Sequence, residues 1–257
     1  MPLQEHPWAE QAVRLKTVDS TNSYAKKLAA QGACHGTVVL AEHQTAGKGR
    51  LGRTFSSPAG MGIYCSVVLR YGVEPERLFC LTPIMAEAAR RAVHNSTGLQ
   101  PQIKWINDLV LHRRKLCGIL TELGTENGKI AYVVVGIGVN CSQQEDDFPP
   151  ELRQTAISLE QALGKPVDRE AVVQELIRQV QLAADGFLQD ASPWIRTYSE
   201  HCLTIGKGVQ LIRGDVIRLA HVDGIDDRGA LLVTLEDGTK ETVFSGEASV
   251  RGLYGYI

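Results

Sequence analysis

The chain is predicted to be α+β: a central mixed β-sheet carrying helices, followed by a small all-β unit. Three observations carry this. The run Val133-Val134-Val135-Gly136-Ile137-Gly138-Val139 is apolar on both faces, as a central buried strand must be. Over residues 169–188, Val173, Leu176, Ile177, Val180, Ala184 and Phe187 fall on one stripe at helical spacing, which reads as a core-facing helix. Beyond Gly206 the texture changes to short alternating strands broken by Arg213-Gly214-Asp215, Asp227-Arg228-Gly229 and Asp237-Gly238. About fifty residues of that kind suggest a small β-barrel, so the chain divides into residues 1–204 and 205–257.

In chain order, Asp19-Ser20-Thr21-Asn22 supplies capping side chains for a helix with Tyr24, Ala25, Leu28 and Ala29 on its apolar face and Gly32 at its end. Taken alone, Ser20, Thr21 and Asn22 read as caps. A strand over 37–42 leads through His43-Gln44-Thr45-Ala46 into a glycine loop, and a strand over 62–69 leaves it. Thr82-Pro83 opens a helix to about Asn95, or the helix starts near Arg77 and kinks at Pro83. Residues 102–106 read as a strand meeting the turn pair Asn107-Asp108, and 109–111 continue as strand. Strands over 115–123 and 130–139 are joined by Asn127-Gly128, a strong hairpin signal. The two glycines of the apolar strand, Gly136 and Gly138, are either packing necessities or places of close ligand approach. Helices over 157–163, 169–188 and 193–201 follow, then strands over 209–212, 216–222, 231–235 and 242–244.

Composition narrows the function classes. With 257 residues, 44% of them hydrophobic, the chain can bury a substantial core. Lys plus Arg number 27 against 29 Asp plus Glu, a net charge of −2, which provides no global field for nucleic acid. No segment has the pattern of a signal peptide or the apolar length of a membrane span, and no membrane association is expected. Six widely spaced cysteines with no C-x-x-C point to reduced thiols in a cytoplasmic protein. The histidines show no metal-ligand spacing, so no protein-liganded metal is expected.

The stretch that carries chemistry is Gly47-Lys48-Gly49-Arg50-Leu51-Gly52-Arg53, three glycines and three cations with no acid. Glycines permit positive φ and bring backbone N–H groups close to a ligand, and Arg and Lys add charge-assisted bonds to carboxylate or phosphate. The bland reading is a solvated basic turn. The spacing also fits G-x-G-x-x-G, but that fingerprint requires a helix after the loop to receive a pyrophosphate. Here Thr54–Gly60 and then a strand follow, which argues against a dinucleotide site.

Five segments in order resemble the biotin protein ligases: Asp19-Ser20-Thr21-Asn22; Gln44 through Arg53 with Ser57-Pro58; Lys104-Trp105-Ile106-Asn107-Asp108; Lys115-Leu116-Cys117-Gly118-Ile119-Leu120-Thr121-Glu122; and Gly136-Ile137-Gly138-Val139-Asn140. The resemblance covers nearly the whole chain. It implies a sheet related to the class II synthetase core and an SH3-like C-terminal domain. Three positions depart from the pattern: Lys48 stands where Arg is usual, Ile106 where Pro is common, and Phe55 where Trp often lies near the adenylate. About sixteen residues precede the first motif, too few for the helix-turn-helix that makes some members repressors, so the form without DNA binding is expected.

The resemblance also implies a chemistry. Biotin's carboxylate attacks the α-phosphate of ATP to form biotinyl-5′-adenylate, and a lysine of a biotin carboxyl carrier protein domain then takes the biotin. Two anions meet in the first step, so positioned cations are the main need. By family position Lys115 bridges carboxylate and phosphate, Arg50 with Arg53 holds phosphate oxygens, and Mg²⁺ neutralises the rest. Ser20, Thr21, Asn22 and Gln44 surround the ureido end of biotin. Gly47, Lys48, Gly49 and Arg50 close over the ligand, Gly118 leaves room for it, Phe55 stacks by the nucleotide, and Asn140 lies near the adenine. Asp108 is equally a turn residue or an assistant to magnesium or the acceptor lysine, and Asn107 has the same two readings. A bare lysine in Arg113-Arg114-Lys115 would read as solvated charge; its register before Leu116-Cys117-Gly118 reverses that preference. The rivals are a lipoate or octanoate transferase of the same fold and a non-catalytic biotin sensor. The acceptor's identity and the oligomeric state, a homodimer included, stay open.

Overall fold

The computed structural model describes residues 8–244 and 249–252. Its main sheet has seven strands: β1 (Val13–Val18), β2 (Thr37–Gln44), β3 (Gly62–Leu69), β4 (Gln102–Lys104), β5 (Asp108–Leu111), β6 (Arg114–Glu126) and β7 (Lys129–Asn140). Their spatial order is β1-β2-β3-β7-β6-β5-β4. The β1–β2 pair is parallel and every other pair antiparallel, which makes the sheet mixed as the sequence predicts. The apolar run Val133–Val139 lies on β7 between β3 and β6, at the sheet's centre.

One face of the sheet is covered by α2 (Leu81–Thr97), with α4 (Arg169–Phe187) and α5 (Ser192–Glu200) packed against α2. Leu81, Ile84, Met85, Ala88 and Ala92 of α2 share a core with Val133, Val135 and Ile137 of β7. The other face receives the shorter α1 (Thr21–Ala30), where Ala25 and Ala29 meet Val39, Val68 and Val134. Each large apolar side chain buried this way stabilises the fold by about 1.5–3 kcal/mol. Ser20 caps α1, its Oγ accepting from Ser23 N–H. A short helix α3 (Leu159–Leu163) completes the α layer, capped by Ser158.

After α5 come β8 (Gly208–Arg213), β9 (Val216–Ile225), β10 (Leu231–Leu235), β11 (Lys240–Val243) and β12 (Ser249–Gly252), an antiparallel sheet in the order β11-β10-β9-β8-β12. Val209, Leu211, Val222, Leu231 and Val233 join the same apolar core as the first sheet. Trp105 ties the two sheets, its indole N–H donating to the Gly229 carbonyl at 2.9 Å and its backbone N–H to Thr204 Oγ1 at 3.0 Å.

Several elements differ from the sequence-based expectation. β1 was not foreseen, although Val13-Arg14-Leu15-Lys16 alternates as a half-buried edge strand should. The helix expected at Thr82 or Arg77 begins at Leu81 after a 3₁₀ turn over Pro75–Cys80, with Pro83 in its first turn, where its missing N–H costs nothing. β4 stops at Lys104, and Asp108 opens β5 directly opposite it. β12 was also unforeseen.

Candidate active site

A cleft opens on the face of the main sheet beside the N-terminus of α1. Its lining includes Ser20, Thr21, Asn22, Gln44, Lys48, Gly49, Arg50, Phe55, Asn107, Lys115 and Gly118, eleven of the residues singled out by the sequence and drawn from α1, β2, the glycine loop, the β4–β5 turn and β6. Gly47, Arg53, Asp108 and Asn140 are not among the lining residues.

The inner end is a polar floor. Gln44 Oε1 accepts from both the backbone N–H and the hydroxyl of Thr21, at 2.8 and 3.1 Å, and Gln44 Nε2 donates to Ser57 Oγ at 2.8 Å. Ser66 Oγ lies 2.8 Å from Thr21 Oγ1 and 2.6 Å from Asn22 Oδ1. Asn22 Nδ2 donates to Glu122 Oε2 at 2.9 Å. Gly136 is a packing necessity here, since a Cβ on it would collide with Asn22 Oδ1. Cys65 forms apolar wall; burial pushes its thiol up to about 12, so it stays protonated.

The outer end is cationic. Lys115 Nζ pairs with Asp108 Oδ1 at 2.6 Å, both on neighbouring strands in the β5–β6 register. Arg50 Nη1 donates to Asn107 Oδ1 at 3.2 Å, and Asn107 is itself pinned by Nδ2 to the Ile119 carbonyl at 2.8 Å. Burial lowers the pKa of Arg50, with Asp108 acting the other way, and guanidinium remains charged throughout. Phe55 lies against two glycines: a Cβ on Gly138 would come within 2.6 Å of its ring, one on Gly118 within 3.6 Å. The same Cβ on Gly118 would stand 3.1 Å from Lys115 Nζ.

The glycine loop differs in detail from its sequence reading. Positive φ falls on Gly52 and on Leu51 (φ 56), while Gly47 and Gly49 do without it. Gly47 is small because a Cβ would strike the Phe55 carbonyl and Ser57 Oγ. Several loop N–H groups close the loop on itself: Gly49 to Arg53 O at 2.7 Å, Arg53 to Arg50 O at 3.2 Å and Phe55 to Gly47 O at 2.9 Å. Arg53 is exposed. Asn140 spends its Nδ2 on the carbonyls of Lys115 and Ile157, at 3.3 and 3.1 Å, bracing the strand that carries Lys115. Sequence reasoning missed Tyr64, Cys65, Ile119, Leu120 and Ile137 as lining and the Ser66–Glu122 part of the floor, because nothing local marks one strand face as facing a cleft.

A mixed sheet with a hydrogen-bonded floor at one end of a cleft and a glycine-bordered pair of cations at the other defines a class, proteins that seat a small organic anion beside a phosphate. Comparison with known proteins narrows it. Residues 15–140 match the Biotin/lipoate A/B protein ligase family, and residues 204–251 match the Biotin protein ligase C terminal domain. The chain is 35% identical over 229 residues to the Bifunctional ligase/repressor BirA of Bacillus spizizenii, covering 87% of this chain and 69% of that one. It is 32% identical to the Biotin--[acetyl-CoA-carboxylase] ligase of Paracoccus denitrificans, covering 85% and 92%. Among solved structures, the biotin protein ligase of Aquifex aeolicus in complex with biotin and ATP superposes with TM-score 0.81 at 28% identity, over 95% of this chain and 99% of that one. The chain belongs to the biotin protein ligase family, with its mixed catalytic-type sheet and SH3-like C-terminal domain.

Proposed function

We infer that the chain activates biotin with ATP to biotinyl-5′-adenylate and transfers biotin to a lysine of an acceptor protein. The observation that carries this is one cleft with a polar, hydrogen-bonded floor at one end and Arg50 and Lys115 at the other. A fused-ring ureido head fits the floor, and the valerate carboxylate then points to the cations. A hydrocarbon tail ending in the floor would leave its donors and acceptors unpaired, which favours biotin over octanoate.

In the first half-reaction a carboxylate oxygen of biotin bonds to the α-phosphorus and the bond to pyrophosphate breaks. Lys115 leaves Asp108 and bridges the two reacting anions; Arg50, with Asn107 holding it in place, takes a phosphate oxygen. Arg53 reaches phosphate only through a change in its exposed side chain. Phe55 supplies the stacking face and Lys48 and Gly49 border the ligand. In the second half-reaction an acceptor lysine amine bonds to the activated carbonyl and AMP leaves, and Asp108, once freed from Lys115, is placed to take the amine's proton.

Among the described residues no three His, Cys, Asp or Glu side chains gather as a metal site. Asp108 and Asn107, in contact with Lys115 and Arg50, are oxygen donors that would suit Mg²⁺ arriving on the ATP phosphates with its own waters. When bound, the ion would neutralise phosphate charge. We further propose that the acceptor is a biotin carboxyl carrier domain, that residues 1–204 hold the chemistry and 205–257 the SH3-like domain, and that the protein works in the cytoplasm, where its six free cysteines remain reduced. Among the described residues no helix is long and apolar enough to cross a membrane.

The test is ATP–pyrophosphate exchange with biotin, lipoate and octanoate as alternative acids. Exchange should depend on biotin. Equal or greater exchange with lipoate or octanoate would transfer the assignment to the other branch, and no exchange with any acid would remove the adenylation step.

A further inference from the structure

One charged group beside the floor has no part in the chemistry above. Glu122, on β6, is about a fifth exposed (22% of its side chain) and does not line the cleft. Its Oε1 accepts from Lys26 Nζ at 2.9 Å and its Oε2 from Asn22 Nδ2 at 2.9 Å. Burial raises its pKa, but hydrogen bonds from Asn22 and Lys26 and the charges of Lys26 and Lys48 outweigh burial and hold it below the ordinary carboxylate value. An ionised carboxylate can only accept.

That property settles the orientation of Asn22. One Nδ2 hydrogen goes to Glu122 and the other to the Leu120 carbonyl at 3.3 Å, which is also an acceptor only. A flipped amide would set Oδ1 against two sets of lone pairs. Oδ1 therefore turns the other way, toward the Ser66 hydroxyl at 2.6 Å and over Gly136, a residue of the cleft wall. An amide oxygen accepts two bonds, so one remains for a ligand.

Gln44 is fixed in the complementary sense. Its Oε1 accepts from the Thr21 backbone N–H at 2.8 Å, so Nε2 gives one hydrogen to Ser57 and keeps one. The floor thus offers an acceptor at Asn22 and a donor at Gln44. A ureido group offers N–H donors flanking a carbonyl acceptor, the matching pattern.

We propose that Glu122 is a positioning residue for the acid substrate: it locks the Asn22 amide so that Oδ1 accepts a ureido N–H. The proposal rests on the biotin reading above. Lys26 serves as the counter-cation that keeps Glu122 in place, and Lys48 links the same carboxylate electrostatically to the glycine loop.

The experiment compares the parent enzyme with Glu122→Leu and Glu122→Gln in pyrophosphate exchange, using biotin and its two derivatives methylated on one or the other ureido nitrogen. Loss of a charged acceptor should raise the biotin KM of Glu122→Leu by roughly ten- to a hundredfold. Its kcat and KM for ATP should stay within about twofold, the pattern of a lost ground-state contact. Glu122→Gln keeps an oxygen that accepts from Asn22 and should recover most of the loss. The parent's preference for biotin over the derivative blocked at the relevant N–H should collapse in Glu122→Leu. If Glu122→Leu does not fold, Glu122→Ala carries the same expectations. A Gln variant as impaired as Leu, an unchanged preference against the methylated acids, or parallel losses in kcat, biotin and ATP affinity would overturn the proposal and leave Glu122 a structural ion pair. Absence of biotin-dependent exchange in the parent itself would instead overturn the functional reading on which the proposal stands.

Discussion

The two ends of the cleft are built on opposite plans. At the floor, Thr21, Asn22, Gln44, Ser57 and Ser66 bond to one another in a chain that runs from the Phe55 carbonyl to the Glu122 carboxylate. At the mouth, Arg50 has a 3.2 Å contact to Asn107 and Lys115 an ion pair with Asp108, each on a partly exposed side chain. Under the proposed function, the difference assigns a separate kind of work to each end. Selecting a neutral, many-bonded head group needs donors and acceptors aimed before it arrives, because reorienting buried dipoles on binding would cost affinity. Stabilising charge that forms during the reaction needs cations whose present partners can be exchanged, and a partly solvated ion pair is exchanged cheaply.

Four measurements would break or sharpen that contrast. The largest effect belongs to Lys115→Ala at the mouth. Losing one charge-assisted contact costs roughly ten- to a hundredfold, and a cation acting mainly on the transition state adds to this. Single-turnover adenylate formation should fall by at least about a hundredfold while biotin affinity changes far less. An unaltered rate would take Lys115 out of the mechanism.

Next is Gly136→Ala at the floor, where the new methyl would meet Asn22 Oδ1. Overpacking of this kind costs about 1–3 kcal/mol, so calorimetry should show biotin binding weakened by roughly ten- to a hundredfold. Full affinity in this variant would mean that the floor is adaptable and the contrast with the mouth false. Arg50→Gly should act more mildly and on a different step. Adenylate formation should persist, because Lys115 remains, but pre-formed biotinyl-adenylate should leave roughly tenfold faster for want of one charge-assisted tie. Stray labelling of lysines on a bystander protein would report the same escape. Release no faster than the parent's would show that the loop does not retain the intermediate.

The smallest effect expected is none. The pKa of Glu122 is lower in the folded protein than its ordinary 4.5, so its contribution is fully present above the unfolded value and lost only as pH falls through the folded one. The biotin KM should therefore be flat from pH 8 down to about 5. A rise centred near neutrality would identify some other group as the one that orients the floor.

Much of this site was legible in the chain, for a physical reason. The glycine loop, the capping run at 19–22 and the register of Lys115 before Leu116-Cys117-Gly118 are contiguous segments, and the chemistry they carry constrains neighbouring positions. Gly136 and Gly138 were visible as odd glycines in an apolar strand, and their two readings turn out to be related, since each makes room for a cleft side chain, Asn22 or Phe55. By contrast, Glu122 entered only as the last residue of a family segment, with no role attached. Ser66 lies in an apolar run, and no residue near it in the chain points to the floor. The φ of Leu51 was invisible, because local sequence favoured the glycines beside it for that conformation.

By itself, then, the sequence determined the kinds of element, the order in which they come and the presence of cations beside a glycine loop, because hydrophobic period, capping and turn chemistry act over a few residues. Only the tertiary structure decided which atoms face which. Asn22 and Glu122 are 100 positions apart, Arg50 and Asn107 57 apart, and Trp105 and Gly229 124 apart. Each pair meets because a helix, loop or turn is packed against an element far away in the chain. A donor's direction depends on that neighbour, and no property of either residue alone contains it.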